Sequence, residues 1–140
     1  MKPDFYHKVE EFAEYYNDLK FSPLLLIILG EVRKYLHPYD CVVDAGGGTG
    51  VFSQKLSKSI QGLKITLIEP CKESIEIAET ILPQDAIFIN DEIHTSLPLI
   101  GNEQNAFLFI RSLFAMVNSK EALDLLIKEI NPKLKSKGKI

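Results

Sequence analysis

The sequence predicts an α/β protein built on a doubly wound parallel sheet, and three observations predict it. Short apolar runs at 41–45, 64–68, 86–89 and 106–110 alternate with stretches whose apolar residues recur at helical spacing. The connections between these runs are short, so each strand is followed by a helix that returns across the sheet. The first run leads through Asp44 into four glycines within five positions, Gly46, Gly47, Gly48 and Gly50, before a helical pattern resumes at Val51. Strands joined this way lie parallel and are covered on both faces.

Taken in order, Phe5, Val9, Phe12 and Tyr16 recur at helical spacing, with Glu10, Glu11 and Glu14 on the opposite side. A second helix opens at Ser22-Pro23, a capping residue followed by proline at the first helical position. It is expected to run to about Leu36 and to stop before Pro38. Residues 24–29 are apolar on every side, so this helix is expected to be buried. After the strand at 41–45 comes a helix whose inner face is Val51, Phe52, Leu56 and Ile60. The second strand is 64–68, a helix covers 73–82, the third strand is 86–89 and the fourth is 106–110. A long helix runs from Ser119 to about Leu134. Ser119 with Ala122 three residues on lacks the full capping box, although Glu121 in the first turn suits the helix dipole. There is no internal repeat and no low-complexity tract.

Composition bounds the function classes. The chain has 140 residues, 46% hydrophobic and 25% charged, which is the balance of a folded globular domain. Lysine and arginine total 16 against 19 aspartate and glutamate, a net charge of −3 with no basic stripe, so no nucleic-acid partner is indicated. The longest apolar run falls far short of the roughly 20 residues a membrane span needs, and no secretory leader is recognised at the N-terminus. Cys41 and Cys71 form neither a disulfide framework nor a metal-ligand spacing, so the expectation is a cytoplasmic protein without a metal site. Oligomeric state is not written in these residues.

The glycine spacing carries the functional reading. A dinucleotide fingerprint, G-x-G-x-x-G, begun at Gly46 would place its last glycine where Val51 stands, and begun at Gly47 it meets Thr49. The pattern present is acid-x-G-x-G-x-G, from Asp44, Gly46, Gly48 and Gly50. Over residues 42–50 it resembles motif I of the class I S-adenosylmethionine-dependent methyltransferases. Glu69 stands at the tip of the second strand, 19 residues after Gly50, where a carboxylate can accept two hydrogen bonds from a ribose diol. Nicotinamide enzymes use the same device. The phrase from Ile68 to Ala78 also looks like that family's, in which an acid-Pro-Ser tripeptide opens the next helix. Here Cys71 replaces the serine and reads as a small residue in a serine-like position. Asp91, just past the third strand, matches the family's acceptor for the adenine amino group. Arg111, after the fourth strand, stands where it can pair with the cofactor's methionine carboxylate or with an anionic substrate through a bidentate fork.

The resemblance therefore implies a Rossmann-like core, S-adenosylmethionine as cofactor, and Asp44, Gly46, Gly48, Gly50, Glu69, Asp91 and Arg111 as cofactor-binding residues. It implies methyl transfer to a small-molecule acceptor. Residues 109–116 contain no Asn/Asp-Pro-Pro-aromatic motif, which argues against methylation of an exocyclic base nitrogen or a glutamine amide. No catalytic residue is identified. In-line displacement onto a sulfonium methyl needs donor and acceptor held in near-attack geometry, and a general base only when the acceptor must lose a proton. His94 is the histidine placed nearest the expected pocket. The alternatives are an NAD-dependent oxidoreductase, which Val51 disfavours, and a non-catalytic binding module that keeps the pocket.

The expected organisation is a helical lid or cap over 1–38, with Tyr15 or Tyr16 reaching the cofactor or packing on the sheet, and a core over 39–140. The resemblance runs from about Leu36 to Ile140. A complete sheet of that family continues beyond a fifth strand, whereas this reading finds four strands and the start of another. The core is thus expected to be truncated at the start of strand five, a fragment of a longer enzyme with strand four at an open edge.

Overall fold

The structure is a computed structural model and describes residues 23–110 and 112–140. Its elements are α1 (Pro23–Arg33), β1 (Cys41–Ala45), α2 (Val51–Ser59), β2 (Lys64–Ile68), α3 (Lys72–Ile81), β3 (Ile87–Ile89), α4 (Ile93–Ser96), β4 (Gln104–Leu108), α5 (Leu113–Met116), α6 (Lys120–Ile130) and β5 (Leu134–Lys139). Short 3-10 turns follow α4 at Leu97–Leu99 and α6 at Asn131–Lys133. The strands make one parallel sheet in the order β3-β2-β1-β4-β5. The expected α/β class and parallel sheet are the ones observed.

Both faces of β1 are buried because alternate residues leave a strand on opposite sides and each side meets an apolar layer. Val42 joins Leu56 of α2, Leu67 of β2, Ala78 of α3 and Leu108 of β4 on one face. Val43 and Ala45 join Ile93, Phe107 of β4, and Leu126 and Ile130 of α6 on the other. In register, Asp44 lies beside Leu67 of β2 and Leu108 of β4, near the carboxyl ends of all three strands. The fold thereby lifts one acid out of an otherwise apolar strand to the edge where ligands of such sheets lie.

Several expectations are corrected. The helix at 24–29 is not buried all round: Leu25 and Leu29 are buried, while Leu24, Leu26 and Ile27 are exposed. A helix resting on one face of a sheet covers a single stripe at four-residue spacing, however apolar its sequence. α1 also ends at Arg33, because Lys34 and Tyr35 donate to Glu31 and Val32 in tighter i→i+3 turns. β4 begins at Gln104 rather than at 106, since the Asn105 side chain accepts from Cys41 N at 2.8 Å and fastens this polar entry to β1. α6 stops at Ile130, where Pro132 has no N–H with which to continue the ladder. Strand four is not the sheet's edge. β5 pairs with it through Gln104–Leu134 and Ala106–Lys139, with a bulge between, and takes the edge position itself. The expected N-terminal helix, Tyr15, Tyr16 and the Ser22 cap lie outside the described residues.

Among the described residues no helix is long and apolar enough to cross a membrane.

Candidate functional site at the tips of the first three strands

β1 turns into α2 through a loop held by backbone hydrogen bonds. Gly46 N and Gly47 N both donate to Ile68 O, at 2.8 and 3.1 Å, so the loop is tied to the tip of β2. Gly50 N donates to Gly47 O at 3.0 Å, and Gln54 N donates to Gly50 O as α2 begins. Gly46 has φ 68, and a Cβ there would come within 2.5 Å of Ser112 Cβ and 2.9 Å of Met116 Cε. Gly48 has φ 57, and among the described residues a Cβ there would meet nothing within 4 Å. The first glycine is therefore enforced by packing as well as conformation. The second leaves backbone that no described residue crowds, which is what close approach of a ligand requires.

Two carboxylates lie beneath and beside this loop. Asp44 is 1% exposed, and its Oδ2 accepts from Ser53 Oγ of α2 at 2.6 Å. Gly47 covers it, since a Cβ on Gly47 would stand 2.9 Å from Asp44 Cγ. Burial pushes the Asp44 carboxyl up to about 6, the Ser53 hydrogen bond opposes this, and the nearby Glu69 charge adds to it. Glu69 is 7% exposed; one oxygen accepts from Gly48 N at 2.9 Å and the other from Cys71 N at 3.0 Å. Both of its oxygens are thereby tied to backbone, one to the glycine loop and the other to the entry of α3.

The third strand tip is fastened to the second. Glu69 N donates to Ile89 O, and the Asn90 amide donates to Glu69 O at 2.9 Å and to Pro70 O at 3.0 Å. Asp91 follows as an exposed acid whose Oδ1 accepts from Glu92 N at 2.8 Å. The structure thus gathers Asp44, Gly46, Gly48, Gly50 and Glu69 into one hydrogen-bonded loop cluster and sets Asp91 at the adjoining tip. Arg111 lies outside the described residues. His94 is engaged elsewhere, its Nδ1 2.6 Å from Glu129 Oε2 of α6. Cys71 is buried at the start of α3, with its Sγ 3.3 Å from Glu73 Oε2. Among the described residues no histidine, cysteine or acid cluster is arranged to hold a metal.

Three residues of the cluster escape a reading of the sequence. Ser112 Oγ donates to Ala45 O at 2.6 Å and presses the segment after β4 onto Gly46. Asn90 links two strand tips. Ser53 alone carried a signal: it is a polar residue on the stripe of Leu56 and Ile60, and it is fully buried. A polar group on an inner helix face implies a partner inside.

No protein-family model matches the chain, and no curated protein matches it in sequence. Solved structures do match in fold. A candidate S-adenosyl-L-methionine-dependent methyltransferase from Methanococcus maripaludis is 21% identical, with a TM-score of 0.74 over 95% of this chain and 60% of that one. A SAM-dependent methyltransferase from Geobacter sulfurreducens, in complex with S-adenosyl-L-homocysteine, is 17% identical with a TM-score of 0.62 over 84% of this chain. The [4+2]-cyclase SpnF is 26% identical, with a TM-score of 0.62 over 77% of this chain. The chain spans 60%, 46% and 40% of the lengths of these three proteins. The fold is that of the Rossmann-like, class I S-adenosylmethionine-dependent methyltransferases.

Proposed function

We propose that the chain is the cofactor-binding core of an S-adenosylmethionine-dependent methyltransferase with a small-molecule acceptor, acting in the cytoplasm. In this reading residues 39–140 are that core, and the helical lid expected over 1–38 lies outside the described residues up to position 22. The observation that carries the reading is the bare backbone at Gly48 beside the Glu69 carboxylate. Together they offer close approach for a nucleoside-bearing ligand and acceptors for its ribose hydroxyls.

In this reading the residues take the roles that the resemblance implies. Gly46, Gly48 and Gly50 shape the wall, Glu69 takes the ribose, Asp91 at the next tip takes the adenine amino group, and Asp44 holds the loop from beneath. Arg111 is assigned to the methionine carboxylate on sequence alone. The bound cofactor supplies an electrophilic methyl group. The chain's own residues position it and exclude water, so the absence of an assigned general base is consistent with the chemistry.

Likeness to a [4+2]-cyclase favours a second reading, because the same fold serves a protein named for a different reaction. That second reading is a cofactor-binding module without methyl transfer.

Calorimetry with S-adenosylmethionine, S-adenosylhomocysteine and NAD tests the site. Micromolar binding of the first two, abolished by Glu69→Ala, is expected; binding of NAD alone would sink the proposal. Transfer of labelled methyl to a small-molecule pool separates enzyme from module.

A further inference from the structure

β1 and β4 separate at their carboxyl ends. Their ladder stops at the pairing of Asp44 with Leu108, whereas β1 keeps to β2 one residue further, Ala45 beside Ile68. Gly46 N and Gly47 N then both donate to Ile68 O, so the exit of β1 stays with β2. The two chains also leave for opposite faces of the sheet. α2, which follows β1, packs Phe52 and Leu56 with Val42 and Leu67. α5 and α6, which follow β4, pack Met116, Leu126 and Ile130 with Val43 and Phe107. Divergence of that kind opens a crevice between the two tips, and open α/β sheets take their ligands there. A hydrogen bond spans it: Ser112 Oγ, buried, donates to Ala45 O at 2.6 Å. Ser112 and Met116 also crowd Gly46, where a Cβ would stand 2.5 Å from Ser112 Cβ and 2.9 Å from Met116 Cε. At Gly48, tied to Glu69 beyond β2, no described residue would come within 4 Å of a Cβ. The loop is thus walled on its β4 side and open on its β2 side.

The sheet order gives this wall a direction. The strands run β3-β2-β1-β4, with Asp91 past β3 and Glu69 past β2. A nucleoside with its base and ribose over those two tips carries its 5′ substituent on towards β1 and β4, where residues 112–116 stand. We propose that Ser112 and Met116 determine which 5′ substituent the site accepts: the Ser112 hydroxyl holds this segment against the glycine loop, as a wall that favours adenosine bearing an amino-acid arm over adenosine with a short 5′ group. This rests on the reading of the loop as an S-adenosylmethionine site, in which the arm is the methionine-derived chain. Arg111, assigned to the carboxylate of that arm on sequence alone, is the neighbour of Ser112 in the chain. Ser112 is a positioning residue, because its hydroxyl is engaged by Ala45 O. Met116, half-buried, offers its side chain as the surface of the wall.

The test is competition calorimetry on the full chain with two ligands. S-adenosylhomocysteine carries the arm, and 5′-methylthioadenosine shares its adenosine and thioether but ends in a methyl group. Loss of one buried hydrogen bond in Ser112→Ala should weaken S-adenosylhomocysteine by about tenfold and change 5′-methylthioadenosine by less than about twofold. Met116→Ala, which leaves the hydroxyl in place, should show the same split, and it carries the test if Ser112→Ala does not fold. Equal losses for the two ligands overturn the proposal, because they mark a residue that only supports the loop. An unchanged affinity for S-adenosylhomocysteine overturns it as well. So does a parent protein in which 5′-methylthioadenosine fails to compete, since the adenosine half is then not recognised apart from the arm. These outcomes leave the site reading standing, whereas a parent protein that binds neither ligand overturns that reading too.

Discussion

Gly46 and Gly48 are two positions apart and answer to different constraints, which makes them the sharpest test at the scale of single residues. An alanine at Gly46 would be driven into Ser112 Cβ at 2.5 Å, beside backbone that cannot swing away. Overpacking of that kind costs about 1–3 kcal/mol, with the left-handed conformation adding to it. An alanine at Gly48 meets nothing among the described residues and bears the conformational cost of about 1 kcal/mol. Gly48→Ala is therefore expected to leave a folded protein that has lost most of its affinity for S-adenosylmethionine, and Gly46→Ala a protein damaged in folding first. Urea unfolding beside calorimetry distinguishes them, and equal losses of stability would contradict the assignment. Asp44 supplies a second prediction. Its native carboxyl is held at about 6 against 3.8 for the ordinary group, so the native state binds this proton more tightly than the unfolded chain does. Its contribution to stability is full below the ordinary value and is lost as pH rises through about 6. A difference of that size corresponds to about 3 kcal/mol. In ligand-free protein the advantage of Asp44→Asn over the parent should widen by an amount of that order between pH 4 and 7.5, measured by denaturant unfolding. Parallel curves would show that Asp44 ionises in the folded state as it does in the unfolded chain.

Elements show why some boundaries are readable and others are not. The Ser119 hydroxyl accepts from Ala122 N at 3.1 Å and caps α6, whose inner face carries Leu126 and Ile130 into the core. Ser119→Ala should lower stability by about 1 kcal/mol and Ser119→Asp should largely restore it, as read from unfolding midpoints; an unchanged midpoint in the alanine variant would remove the cap from the account. That cap was half visible in the sequence, as a serine without the acid that completes the box. β1 and β2 occur where the apolar runs placed them, Cys41–Ala45 and Lys64–Ile68, because strands buried on both faces have little choice of residue. β5 was scarcely legible. Leu134-Lys135-Ser136-Lys137-Gly138-Lys139 has no β-branched residue, and its exposed positions place no apolar demand on the sequence. It becomes a strand because β4 offers it a ladder. The site divides the same way. The glycines and Glu69 announce themselves because the chemistry sits in consecutive residues at strand tips. Ser112 and Asn90 owe their roles to partners 67 and about 20 residues away, so no local pattern records them.

At the scale of the whole molecule, the sheet leaves β5 along one edge, and an edge strand is a template for pairing with another chain. The structure carries two of the devices that blunt such an edge. Lys135, Lys137 and Lys139 are all exposed along it, and Lys137 adopts a positive φ of 69 within the bulge between the Gln104 and Ala106 pairings. A bulge twists the strand out of register with an incoming neighbour, and lysines repel a second copy of the same edge. Beside this edge lies a groove of about 380 Å³, lined mainly by apolar side chains including Val32, Leu36, Leu108 and Ile110, with Lys139 at its border 6.0 Å from the Tyr35 ring. An apolar groove next to unpaired backbone would promote association were the charges absent. Replacing Lys135 and Lys139 with valine while keeping Lys137, whose conformation valine would strain, isolates the charge from the bulge. The double variant is expected to shift toward dimers and larger species in sedimentation velocity at micromolar concentration, and the shift should grow with concentration. Restoring one charge as Lys135→Glu in the Lys139→Val background should reverse much of it if any charge suffices to guard the edge. A variant that sediments like the parent would assign the whole protection to the bulge at Lys137.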